Sequence, residues 1–107
     1  MNRVKRRAAL LHLQGGRCFY CDVEMSTTGA DILRMDTFDE VMPRSRGGRR
    51  EMTNTVLACM ACNMAKGNRL PTNDEMQRFK SLLSRDPAYR VAEAKARALL
   101  DNDFDDE

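Results

Sequence analysis

All the cysteines of this chain fall in two Cys-x-x-Cys pairs, Cys18/Cys21 and Cys59/Cys62. Two thiolates in one tight turn present adjacent corners of a tetrahedron, so the paired knuckles predict one closed four-thiolate zinc site. Two disulfides or a pair of redox dithiols are the other uses of four cysteines, and nothing nearby resembles a thioredoxin-like unit. Knuckles of this kind are ordinarily separated by roughly 15–20 residues. Here 37 residues lie between Cys21 and Cys59, so a whole structural element is inserted inside the staple. With 107 residues the chain reads as a single domain, 1–107, whose small core is marginal without such a staple.

Charge is unevenly spread. Residues 1–70 carry 12 Lys/Arg against 7 Asp/Glu, and residues 71–107 carry 6 against 9, for local balances of +5 and −3. The basic part holds the cysteines and an Arg-rich stretch, the footprint of a small nucleic-acid binder. The basic start is not followed by an apolar run of signal-peptide length, and no stretch is long enough to span a membrane. Reduced, metal-bound cysteines fit a cytoplasmic setting.

Along the chain, Val4, Ala8, Leu11 and Leu10 recur at helical spacing and predict a helix over 2–14, stopped by Gly15-Gly16. Phe19 and Tyr20 are expected to pack beside the zinc. Residues 25–34 form a poorly defined connection. Residues 35–42 alternate as a strand, with Met35, Thr37, Asp39 and Val41 on one face and Phe38, Glu40 and Met42 on the other. Pro43 ends it. Arg44-Ser-Arg-Gly-Gly-Arg-Arg reads as a flexible basic loop, and Thr55-Val-Leu-Ala as a second strand. Cys59-Met-Ala-Cys opens a helix that runs to Lys66 and stops at Gly67.

Thr72 with Glu75 forms a capping box for a helix whose stripe is Met76, Phe79, Leu82 and Leu83. Asp86-Pro87 starts a last, Ala-rich helix with Val91, Ala94, Ala98 and Leu99 on one side. The end, 101–107, has five acids in seven residues and reads as a disordered, solubilising tail. The coarse plan is thus α+β: a ββα core, an N-terminal helix, and a helical extension over 71–100.

The ordered residues of the middle carry a resemblance. The chain reads Asp39-Glu40-Val41-Met42-Pro43, Arg44-Ser-Arg-Gly47-Gly48, Asn54, Val56-Leu57-Ala58, Cys59-Met-Ala-Cys62-Asn63 and Lys66-Gly67, preceded by Gln14-Gly-Gly-Arg-Cys18-Phe-Tyr-Cys21. This resembles the HNH endonuclease family in its zinc-knuckle, ββα-metal form, over about residues 10–70. The resemblance implies a metal-dependent endonuclease that hydrolyses phosphodiester bonds in DNA. It implies that Asp39 and Asn63 hold a catalytic Mg²⁺, Mn²⁺ or other divalent ion, while Cys18, Cys21, Cys59 and Cys62 hold structural zinc. Asn54 corresponds to the family's structural Asn. Arg44, Arg46, Arg49, Arg50, Lys66 and Arg69 resemble phosphate-binding positions. A stand-alone domain of this size suits phage or mobile-element roles by analogy, with little sequence preference or with a larger protein partner.

The chain departs from the family at one place. Glu40 stands where the family has the histidine that deprotonates water. A carboxylate ordinarily accepts protons about two pH units below imidazole, so Glu40 as base implies attenuated turnover. As an added ligand or a negative charge beside the scissile phosphate, it opposes the transition state and implies an inactive enzyme. A deliberate substitution that silences a toxic enzyme is the third reading. The alternative function is a catalytically inactive zinc module that binds nucleic acid or regulates a partner. His12, the single histidine, reads as a helix-surface residue rather than a replacement base.

Overall fold

The computed structural model describes residues 2–86. Helix α1 (Arg3–Gln14) starts at Asn2, whose side-chain oxygen accepts from the Lys5 N–H at 2.8 Å, and stops at Gly15 in a left-handed conformation, φ 62°. Only glycine takes that conformation without strain. The element matches the expected helix: Leu10 and Leu11 pack on the core as expected, whereas Val4 and Ala8 are exposed. Val4 is 77 % exposed and Leu10 is fully buried. Arg3, Arg6, Arg7 and Leu10 share one side at i, i+3, i+4 and i+7, so three of these four positions are arginines. Long basic side chains bury their methylenes while keeping their heads polar, and an apolar count along the sequence passes over them.

The centre is a two-stranded antiparallel sheet, β1 (Asp36–Glu40) and β2 (Thr55–Cys59), with Phe38 opposite Leu57 and Glu40 opposite Thr55. Every residue of β2 is buried. A lone two-stranded ribbon is marginal in water, and this one is packed on both faces. One core unites Leu10, Cys18, Met25, Leu57, Ala58 and Cys59. The other unites Phe19, Val41, Val56, Phe79, Leu82 and Leu83.

Both outer edges of the ribbon are closed by side chains. On β2, the Gln14 amide oxygen accepts from the Leu57 N–H at 2.8 Å and its NH₂ donates to the Leu57 carbonyl at 2.9 Å, as a neighbouring strand would. The Phe19 N–H adds a bond to the same carbonyl. On β1, helix α2 (Met60–Lys66) lies along the edge. Asn63 Nδ2 donates to the Phe38 carbonyl at 3.1 Å and Lys66 Nζ to the Glu40 carbonyl at 3.0 Å. Unpaired strand edges that would otherwise stay open are thereby satisfied.

Helix α3 (Asn73–Leu83) begins with the capping box: Thr72 Oγ1 accepts from the Glu75 N–H, and Glu75 accepts from the Thr72 N–H. Its stripe meets the second core through Phe79, Leu82 and Leu83, with Met76 partly buried against it. The helix expected after Asp86-Pro87 and the acidic tail lie outside the described residues. Among the described residues no helix is long and apolar enough to cross a membrane.

Leu57 is fully buried at the junction of strand, Gln14 and the four-cysteine side of the core. Leu57→Ala is expected to cost about 2–5 kcal/mol, a large share of the stability of a small domain. Urea titration followed by circular dichroism measures it.

Candidate active site and metal centre

The first knuckle is a tight turn in which the Asp22 N–H donates to the Cys18 carbonyl at 3.0 Å and Asp22 takes a positive φ of 65°. Cys59 ends β2 and N-caps α2, so Cys62 comes round on the first turn of that helix. The four sulfurs lie within 4.8 Å of one another, and Cys21 Sγ is 3.8 Å from Cys59 Sγ. All four cysteines are free of disulfides. A tetrahedron of sulfurs at the zinc–sulfur bond length has edges of about 3.8 Å. The cysteines are therefore positioned to hold a metal ion.

Burial pushes the Cys62 thiol well up, aided by hydrogen bonds with Cys21 and Cys59, and burial likewise raises Cys59. Burial also opposes the charge of Cys18, but N–H donors of Cys21, Cys59 and Tyr20 outweigh it, and its pKa falls below the usual thiol value.

Beyond the cysteines, β1 presents Asp39 and Glu40 to different surroundings. Asp39 is 7 % exposed. Its Oδ2 accepts from the Tyr20 hydroxyl and lies 3.4 Å from Lys66 Nζ. Lys66 is 5 % exposed, so it neutralises a buried carboxylate here rather than presenting its charge to solvent. Burial, with the hydrogen bond to Asp39 next, pushes the Tyr20 hydroxyl far above its ordinary pKa, and the phenol stays a donor. Asn63 sits beside this pair. Its Nδ2 is committed to Thr37 Oγ1 at 2.8 Å and to the Phe38 carbonyl, which leaves its Oδ1 as the end open to a ligand.

Glu40 follows Asp39 on the strand and so points to the opposite face. It lies in a cleft of about 400 Å³ walled by Arg3, Arg6, Phe38, Arg50 and Thr55. Its nearest cation is Arg50, at 3.8 Å. The structure thus pairs Asp39 with Lys66, holds Asn63 on the same strand edge at Thr37 and Phe38, and turns Glu40 into the cleft on the other side. His12 is exposed on the side of α1 away from Leu10.

The Arg-rich segment is an ordered turn. Arg44–Arg46 form a single 3₁₀ turn ending at Gly47, φ 99°. Asn54 ties it down: its side-chain oxygen accepts from the Met42 N–H at 2.8 Å, and its NH₂ donates to the carbonyls of Met42 at 2.9 Å and Arg49 at 2.8 Å. Arg44, Arg46, Arg49 and Arg50 are exposed around it. Arg46 Nε also donates to the Asn68 carbonyl, and Arg69 forms a bidentate pair with Glu75 at 3.0 and 3.1 Å. That pair holds the Glu75 carboxyl below its usual range even though burial opposes it.

Sequence reading missed Tyr20 as a partner of Asp39, and Arg3 and Arg6 as walls of the Glu40 cleft. A hydroxyl inside Cys18-Phe-Tyr-Cys21 was the available signal for the first. The i, i+3 spacing of the two arginines on a helix was the signal for the second.

A β-ribbon and helix sharing one four-cysteine cluster, with a carboxylate, an amide and an ammonium gathered where the helix grips the strand, is the architecture of a zinc-knuckle nuclease domain. Residues 18–79 match the family model for HNH endonucleases, and the chain belongs to that family. The match begins at the first knuckle cysteine and runs to Phe79 in α3, later at both ends than the 10–70 read from the motifs. No curated protein matches the chain.

Two outcomes are expected. Metal capture requires thiolates, and the raised Cys59 and Cys62 must give up their protons to it. The apparent metal affinity should fall as pH is lowered, with proton release on binding near neutral pH, read by competition titration with a chromophoric chelator. Separately, a Cβ on Gly48 would lie 1.7 Å from the Met42 carbonyl oxygen. Gly48→Ala should therefore break the Asn54 bridge and lower the melting temperature more than Asn54→Ala does, as read by calorimetry.

Proposed function

We propose that this chain is a DNA endonuclease that hydrolyses phosphodiester bonds, with zinc in the thiolate cluster and a harder divalent ion at Asp39 and Asn63. The observation that carries the reading is the docking of α2 on the edge of β1, which sets Asn63 and Lys66 beside Asp39. One carboxylate and one amide oxygen suit Mg²⁺ or Mn²⁺, which when bound supplies Lewis acidity at a phosphate oxygen. The zinc cluster anchors the Asp36–Cys59 end of the ribbon and, through Tyr20, orients Asp39. Lys66 balances the charge of Asp39 within a buried pair, where loss of either partner is costly. Exposed Arg44, Arg46, Arg49 and Arg50 contact flanking phosphates.

Glu40 occupies the base position. As a carboxylate it takes a proton from water less readily than imidazole near neutral pH, so turnover is attenuated. One observation favours a second reading, a nucleic-acid-binding module without turnover: Glu40 lies across the ribbon from Asp39, toward Arg50.

The test is nicking of supercoiled plasmid by this chain, Glu40→His and Asp39→Ala in Mg²⁺ and Mn²⁺. The expected result is nicking by the chain that is lost in Asp39→Ala and rises about 10²–10⁴-fold in Glu40→His. Nicking by Glu40→His alone would establish the second reading. No nicking by any of them, with zinc retained, would remove the endonuclease assignment for duplex DNA.

A further inference from the structure

The cleft on the α1 side of the ribbon has a chemistry that the thiolate cluster and the Asp39 group do not use. Helix α1 lies outside the matched family segment, yet it supplies one wall of the cleft that contains Glu40. Three guanidinium groups, of Arg3, Arg6 and Arg50, meet the carboxylates of Asp36 and Glu40 there. Arg7 is consumed by Asp36 through two hydrogen bonds. Arg50 approaches Glu40 only at 3.8 Å. That leaves Arg3 and Arg6 with no carboxylate among the described residues.

Both lie over the Phe38 ring, with their guanidinium carbons 4.7 and 5.4 Å from its centroid. Stacking of this kind fixes the plane of a guanidinium without using its N–H donors. Arg6 directs one of those donors to Thr55 Oγ1 at 3.2 Å, while its buried Nε has no partner. An arginine held over a ring, with donors unspent and charge uncompensated, is a receptor for a phosphate oxyanion.

We propose that this cleft binds a backbone phosphate of the nucleic acid, held by Arg3 and Arg6 from α1 with Arg50 opposite, and so brings the strand alongside Glu40. The proposal rests on the nucleic-acid reading above. It extends the interface to a helix that the family match does not include, and it makes Arg50 exchange Glu40 for phosphate when the strand is bound.

The experiment is the salt dependence of binding to a fluorescein-labelled duplex, measured by anisotropy on the full chain without added Mg²⁺ or Mn²⁺. Each lost phosphate contact lowers the slope of log affinity against log salt by about 0.9. Arg3→Gln/Arg6→Gln, which takes both α1 contacts from that one phosphate, should lower it by about 1, and Arg3→Gln alone by a part of that. Lys5→Gln removes the same charge from the opposite side of α1 and should leave the slope unchanged. Arg3 is exposed, so the single variant tests the site without disturbing the Arg6–Thr55 contact. An unchanged slope in both arginine variants, or an equal drop in Lys5→Gln, would overturn the proposal. Absence of salt-dependent binding by the unaltered chain would instead overturn the nucleic-acid reading beneath it.

Discussion

The structure depends on closing the two edges of a ribbon too small to stand alone. Each strand has five residues, and a pair of that size exposes a row of unpaired backbone groups on each outer side. Gln14 closes the β2 edge by imitating a strand with one amide. Asn63 and Lys66 close the β1 edge from α2. The four-cysteine cluster ties these supports together, because its ligands come from the knuckle that follows α1 and from the turn that joins β2 to α2. The cysteine cluster shares a core with the ribbon and α1.

The same closure builds the site. Asn63 and Lys66 stand one turn apart on α2, so the bonds that satisfy β1 also deliver an amide and an ammonium to Asp39. Tyr20 reaches Asp39 from inside the metal knuckle. A buried carboxylate is tolerable only when paired and hydrogen-bonded, and Asp39 meets both conditions. Lys66 therefore both satisfies a strand carbonyl and pairs with the Asp39 carboxylate. Loss of Lys66 would unbalance a buried charge as well as free a strand carbonyl.

Strand geometry gives position 40 its meaning. Adjacent strand residues face opposite ways, so Asp39 enters the packed side and Glu40 the arginine-lined cleft. The departure from histidine at position 40 thus falls in a strongly basic environment, distinct from the one around Asp39. What a carboxylate does there is set by Arg3, Arg6 and Arg50 as much as by its own basicity.

The sequence by itself determined the staple, the order of elements and the family. Cys-x-x-Cys spacing, Gly15 and Gly67 as helix stops, the Thr72/Glu75 capping box and the alternation of residues 35–42 are local signals, each decided within a few residues. Only the tertiary structure decided which side of α1 is buried, that Gln14 completes β2, that Tyr20 and Lys66 meet Asp39, and that Glu40 lies apart. Those facts join residues distant in the chain, such as Gln14 with Leu57 and Arg6 with Thr55. They also rest on polar side chains in packed positions, which hydrophobic periodicity does not register. Pairwise geometry of that kind exists only once the ribbon has been enclosed.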